Sequence, residues 1–187
     1  LFGVAATDVT REMRTIAKAV NFGIVYGQSA FGLAQTQKIS RAEAQDYISR
    51  YTERFPEIED FKQRTLAFAR ENGYVETLLG RRRPVDREGG SYPQRQAAER
   101  VAVNTPVQGS AADLIKLAMI AIDRRLTEEF PGQLLLLQVH DELLLEVDED
   151  RVEPIAEMVR HEMATAMELA VPLVVDVGIG RTWDEAH

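Results

Sequence analysis

The stretch RTIAKAVNFGIVYG, residues 14–27, places Arg14, Lys18, Phe22 and Tyr26 at four-residue steps. On a helix of 3.6 residues per turn that step stacks all four side chains in one slowly drifting stripe, two cations followed by two aromatics. At 1.5 Å per residue the stripe runs roughly 18 Å, long enough for a polyphosphate against its cationic end and a flat base against its aromatic end. Ile16, Val20 and Ile24 sit on the other side of the same helix and form an apolar stripe that can bury. Core contact therefore does not require the polar stripe. Thr10 is placed to cap the helix and Glu12 suits its positive end. Gly23 and Gly27 weaken the helix right beside the aromatics, which makes sense if a ligand must approach the backbone closely. The plain alternative is a solvated amphipathic helix with incidental charges, and four matched positions plus two glycines weigh against it.

The remaining chain sets limits on what this surface belongs to. With 187 residues, 45% hydrophobic and 28% charged, it can form one sizeable domain or two small lobes. No apolar run approaches the roughly 20 residues that span a bilayer, and the first residues lack the basic start and cleavage site of a signal peptide. No membrane partner is expected, and the cytoplasm is the default location. The absence of cysteine excludes disulfides and thiolate metal sites. The net charge of −8 is a property of the tail: residues 1–140 carry 19 Lys plus Arg against 17 Asp plus Glu, whereas residues 141–187 carry 3 against 13. Six arginines lie within residues 81–100, namely Arg81, Arg82, Arg83, Arg87, Arg95 and Arg100, a local basic patch able to meet phosphates.

After Gly27 the pattern predicts a short turn and then a helix from near Ser40, whose spacing to Glu43 is that of a capping box. Tyr47, Ile48, Tyr51 and Phe55 give that helix an apolar side. Pro56 opens another helix, with Ile58, Phe61, Leu66 and Phe68 as packing residues, ending near Asn72-Gly73. A short strand is expected over 74–79, then a loop or linker over 84–93 containing two prolines and Gly89-Gly90. A helix from about Gln94 breaks at Pro106 and restarts beyond Gly109 toward Phe130. Residues 134–139 and 143–147 are strand candidates joined by His140-Asp141-Glu142, a hairpin-like arrangement. A final helix over 150–169 leads to a strand over 173–177.

Two further signals carry chemistry. Charged residues at the junction of two apolar strands cost stability if buried without partners, and a hard cation would offset that cost, since Mg²⁺ takes one or two carboxylates plus substrate phosphates. A polar hairpin tip facing solvent is the plain alternative. Arg100, Asn104 and Gln108 stand at four-residue steps among apolar neighbours, and their amide and guanidinium groups suit minor-groove acceptors, which recur in every base pair. Interhelical hydrogen bonding explains Asn104 taken alone and explains the set poorly.

The pattern Arg-x-x-x-Lys-x-x-x-Phe-Gly-x-x-Tyr-Gly at 14–27 resembles the fingers-helix motif of family A DNA polymerases, the bacterial DNA polymerase I type. Val139-His140-Asp141-Glu142 resembles the palm motif of the same family, and the likeness extends through Pro106-Val107-Gln108-Gly109-Ser110-Ala111-Ala112-Asp113 to the ending Trp183-Asp184-x-Ala186-His187. The resemblance implies an α+β fold: a mostly helical fingers subdomain over 1–83, a loop over 84–93, and over 94–187 part of an antiparallel palm sheet with packed helices. It implies that Arg14 and Lys18 contact the phosphates of a deoxynucleoside triphosphate, with Lys18 a general acid for the leaving pyrophosphate. Phe22 would pack on sugar and base, and Tyr26 would stack at the template position. Arg100, Asn104 and Gln108 would touch the primer–template, and His140 the primer end. Asp141 would be a catalytic ligand of two Mg²⁺ ions, with Glu142 an accessory acid.

The family also has an earlier palm strand carrying a metal-binding Asp in an Asp-Tyr-Ser-like setting, and nothing here matches it. Two-metal transfer needs carboxylates from two places. The expectation is therefore a C-terminal part of a template-directed DNA polymerase, inactive until a complementary N-terminal segment brings the first palm Asp. The rival is a non-catalytic nucleic-acid-binding module that kept the duplex-contacting surface.

Overall fold

A computed structural model describes residues 2–85 and 91–186. The chain divides into two compact units, residues 1–107 and 108–187. That division falls later than the loop read at 84–93. Residues 86–90 of this loop, with Arg87 and Gly89-Gly90, lie outside the described residues, as do Leu1 and His187.

Among the described residues the first unit is built from five α-helices and a small hairpin: α1 (Arg11–Val25), α2 (Ala30–Gln37), α3 (Arg41–Arg54), α4 (Pro56–Asn72), β1 (Tyr74–Glu76), β2 (Arg82–Pro84) and α5 (Tyr92–Asn104). The apolar stripe of α1 buries as expected: Val20 and Ile24 pack with Leu33 of α2 and with Ala44 and Tyr51 of α3. Helix α2 replaces the short turn expected after Gly27. Its eight residues show little amphipathic pattern, and what holds them is the Ser29 hydroxyl, which accepts from the Gly32 N–H at 3.3 Å, together with the burial of Leu33.

Helix α3 starts with the capping box read from the sequence. The Ser40 hydroxyl accepts from the Glu43 N–H at 3.1 Å and the Glu43 carboxylate accepts from the Ser40 N–H at 3.2 Å. Ser40→Ala is expected to cost about 1 kcal/mol, seen as a lower urea midpoint with an unchanged m-value.

Of the aromatics expected to pack, Tyr51 is buried, and its hydroxyl donates to Asn21 Oδ1 of α1 at 2.6 Å. Burial pushes the Tyr51 phenol up. Phe55 and Phe68 are instead partly exposed ring partners, of Tyr51 at 5.1 Å and of Tyr74 at 5.6 Å between centroids.

The expected strand over 74–79 is shorter, and Arg82–Pro84 of the arginine run pairs with it antiparallel, Val75 opposite Arg83. Arg82 lies over the Tyr74 ring at 4.5 Å and pairs with Glu76 at 2.8 Å, so contacts across the ladder make a strand from part of the basic patch. Helix α5 begins at Tyr92, ahead of the expected Gln94, with Pro93 in its first turn and a Ser91–Gln94 capping box.

The chain passes Pro106 in a single π-helical turn, Thr105–Gly109. Proline has no N–H for the helix ladder, which explains the break read there.

The second unit contains α6 (Ser110–Glu129), β3 (Leu134–Val139), β4 (Glu142–Glu146), α7 (Val152–Ala164) and a terminal turn, α8 (Trp183–Ala186). Ala118, Ile122 and Leu126 of α6 pack with Ile155, Met158 and Val159 of α7, and Leu135, Leu143 and Leu145 of the hairpin lie against them. Arg125 holds Glu129 through both carboxylate oxygens, at 2.5 and 2.7 Å, and Glu162 of α7 at 3.1 Å. That hydrogen bonding draws the Glu129 carboxyl below its usual range.

Helix α7, expected from the sequence to reach 169, stops at Ala164, where the Thr165 hydroxyl donates to the His161 carbonyl at 2.7 Å. The segment 173–177 is not a strand. It has no regular secondary structure, Val174 is exposed, and β3 and β4 pair only with each other among the described residues. A strand needs a neighbour on its edge, and hydrophobicity alone does not supply one.

Candidate active site

Thr10 caps α1, its hydroxyl accepting from the Met13 N–H at 3.2 Å, and Glu12 lies in the first turn. Burial of Val20 and Ile24 fixes the rotation of the helix, so Arg14, Lys18 and Phe22 face solvent. Among the described residues neither Arg14 nor Lys18 makes an ion pair, which leaves both charges available to an anionic ligand. Four residues further on, the rings of Phe22 and Tyr26 lie nearly parallel, 6.2 Å apart with an interplanar angle of 9°. This is offset stacking, and it forms an aromatic ledge whose Phe22 side is half exposed.

The two glycines beside this ledge serve the protein itself. Gly27 adopts φ +78°, its N–H donates to the Ile24 carbonyl at 3.1 Å, and the Gln28 N–H donates to the Gly23 carbonyl at 2.7 Å. Those two bonds are a Schellman ending, which needs a left-handed residue where Gly27 stands. The space over Gly23 is filled by the Gln28 side chain, whose Oε1 lies 2.3 Å from where a Cβ would be. The close approach to the Gly23 backbone seen here is that of the Gln28 side chain, and it depends on how α1 meets α2.

Helix α5 brings two more of the expected residues to this unit. Arg100 is exposed, and its Cγ lies 3.3 Å from a Cβ placed on Gly27. Asn104 is half-buried, its Oδ1 shielded and without a hydrogen-bond partner among the described residues. Together with Tyr26, Ile58, Phe61 and Val103 it lines an apolar cavity of about 260 Å³. Arg14, Lys18, Phe22, Tyr26, Arg100 and Asn104 therefore share one compact unit.

Gln108, His140, Asp141 and Glu142 belong to the other unit and are all exposed. Val139 pairs with Glu142, so His140 and Asp141 form the tip of a two-residue hairpin. His140 takes φ +56°, and its carbonyl accepts from Gln138 Nε2 at 2.9 Å, a bond that pins the tip. Glu142, read as part of the connection, is the first residue of β4.

Among the described residues no group of three or more His, Asp or Glu could hold a metal ion. Asp141 fits Mg²⁺ as one oxygen ligand of a set that other carboxylates must complete. No described helix is long and apolar enough to cross a membrane.

Comparison with known proteins adds family and fold. A model of DNA polymerase family A matches residues 1–185. The chain is 50% identical over 190 residues to DNA polymerase I of Pseudomonas aeruginosa and 49% identical over 187 residues to that of Bacillus caldotenax. Each alignment takes in 100% of the chain and 21% of the relative, so the chain spans about a fifth of the length of the curated relatives it matches. Among solved structures it is similar to the polymerase domain of Pol1 from M. smegmatis in complex with DNA primer-template and dNTP, with a TM-score of 0.94 and 45% identity over 99% of this chain and 33% of that one. The α+β architecture agrees with that domain.

Proposed function

Because this chain belongs to DNA polymerase family A, we propose that it is the C-terminal part of a template-directed DNA polymerase, soluble in the cytoplasm, that adds deoxynucleotides to a primer 3′ end. The observation that carries this is the exposed face of α1, with two cations that make no ion pair among the described residues, in line with a stacked aromatic ledge. In this reading residues 1–83 are fingers and 94–187 are partial palm. Arg14 and Lys18 hold the triphosphate, Phe22 packs on the sugar and base, and Tyr26 stacks at the template position. Arg100, Asn104 and Gln108 follow the primer–template, and His140 lies near the primer end.

In the reaction the primer 3′ hydroxyl loses its proton to solvent as its oxygen bonds to the α-phosphorus. The bond from that phosphorus to the bridging β-phosphate oxygen breaks, and Lys18 gives a proton to the departing pyrophosphate. Two Mg²⁺ ions, with Asp141 as one ligand and Glu142 close by, would stabilise charge on the attacking and leaving oxygens. The second metal carboxylate comes from a polymerase segment outside these residues, a reading supported by the fraction of its relatives that the chain spans.

Primer extension tests this directly. The chain alone is expected to extend nothing, and a mixture with a polypeptide supplying the remaining polymerase segment is expected to copy template. An assembled pair that binds DNA and nucleotide without extending the primer would instead identify a nucleic-acid-binding module and end the polymerase reading.

A further inference from the structure

The turn between α1 and α2 contains a side chain whose fit the stripe does not explain. Gln28 folds back between the two helices: its Oε1 lies 2.3 Å from a Cβ placed on Gly23, and its Cγ lies 3.0 Å from one placed on Gly32. Only bare Cα atoms on both helices leave room for it. Its Nε2 donates to Thr36 Oγ1 at 3.2 Å, and that hydroxyl donates in turn to the Gly32 carbonyl at 3.1 Å. Its own N–H closes the Schellman ending of α1 on Gly23. One residue thus ties the last turn of α1, which carries Phe22 and Tyr26, to the first two turns of α2.

We propose that Gln28 is a positioning residue that sets the Phe22–Tyr26 ledge, and with it the Phe22 ring that packs on the base of the incoming nucleotide, an inference that rests on the nucleotide-binding role of α1. The cations Lys18 and Arg14 stand about two and three turns before Tyr26, on a part of α1 held by its buried apolar face, so phosphate contacts do not depend on the wedge. Losing it weakens base stacking and spares the chemical step. The defect therefore falls on KM for the nucleotide.

Two substitutions reach the wedge from opposite sides. Gln28→Ala removes it. Gly23→Ala puts a methyl where the Gln28 amide sits and evicts the flexible end of that side chain, while raising helix propensity at position 23. If Gln28 matters only for stability, Gly23→Ala is neutral or favourable.

In single-nucleotide insertion by the assembled polymerase, both variants are expected to raise KM for the nucleotide about tenfold, with kcat held within about twofold. The double variant is expected to be no worse than Gly23→Ala alone, because Gln28→Ala clears the space the methyl needs. Gln28→Met, which keeps a chain of similar length between the two glycines, is expected to restore KM to within about twofold of the parent. An unchanged KM in Gln28→Ala overturns the proposal, as do additive effects in the double variant or an equal fall in kcat and kcat/KM. Failure of the parent assembly to extend a primer would sink the polymerase reading instead, and is seen before any variant is compared.

Discussion

Asp141→Ala is expected to lower primer extension by the assembled polymerase at least about 10³-fold, with primer–template affinity within about twofold of the parent. Asp141 sits at the exposed tip of the β3–β4 hairpin, where its backbone is held by the Val139–Glu142 pair and by the Gln138 bond to the His140 carbonyl. None of these contacts uses the Asp141 carboxylate, so the substitution removes one oxygen ligand without unlocking the hairpin. Affinity for duplex is expected to rest on Arg100, Asn104 and Gln108, which the change leaves in place.

Asp150→Ala is the matched control. It removes the same charge from the same unit at a side chain that is 80% exposed, and turnover is expected to be unaffected. Rapid-quench extension and filter binding on the two variants separate a ligand from a bulk-charge effect. Full turnover in Asp141→Ala would refute the assignment of that carboxylate.

Which features could be read from residues alone follows from how local their causes are. Helix α1 was legible because its cap, its first-turn acid and its two stripes all lie within the stretch itself. The Ser40–Glu43 capping box and the proline break at 106 are equally local. Helix α2 was not legible, because Ala30–Gln37 lacks a clear period and its stability comes from burying Leu33 between α1 and α3. Strand β2 was hidden for the same reason. Arg82 is extended because Tyr74 and Glu76 face it across the ladder, and no run of arginines announces that.

The reverse error occurred at 173–177, where apolar residues suggested a strand that no described segment pairs with. In the candidate site, residue types and spacing identified the ledge, the cations and the hairpin carboxylate. They could not show that the room beside Gly23 belongs to Gln28, since that fit exists only once α1 and α2 meet.

Lys18→Ala is expected to slow nucleotide addition about 10²-fold, with a smaller effect on nucleotide affinity than Arg14→Ala. Both side chains are exposed on one face of α1, one turn apart, and Lys18 is the nearer to the aromatic ledge. If the base lies on Phe22, the triphosphate runs back along the helix past Lys18 toward Arg14. The group beside the leaving oxygens is then the lysine. It can contribute fixed positive charge, a proton, or both, and Lys18→Arg tells these apart. Arginine preserves the charge and can hold phosphate oxygens, but it does not release its proton in proteins. A role in charge alone would restore the rate in Lys18→Arg. The expected result is that arginine restores nucleotide KM and leaves single-turnover rates at least about tenfold low. The same reasoning requires the defect to shrink with a nucleotide analogue whose leaving group needs no proton. Equal slowing of both nucleotides would show that Lys18 acts by position and charge, and would remove it from the proton-transfer step.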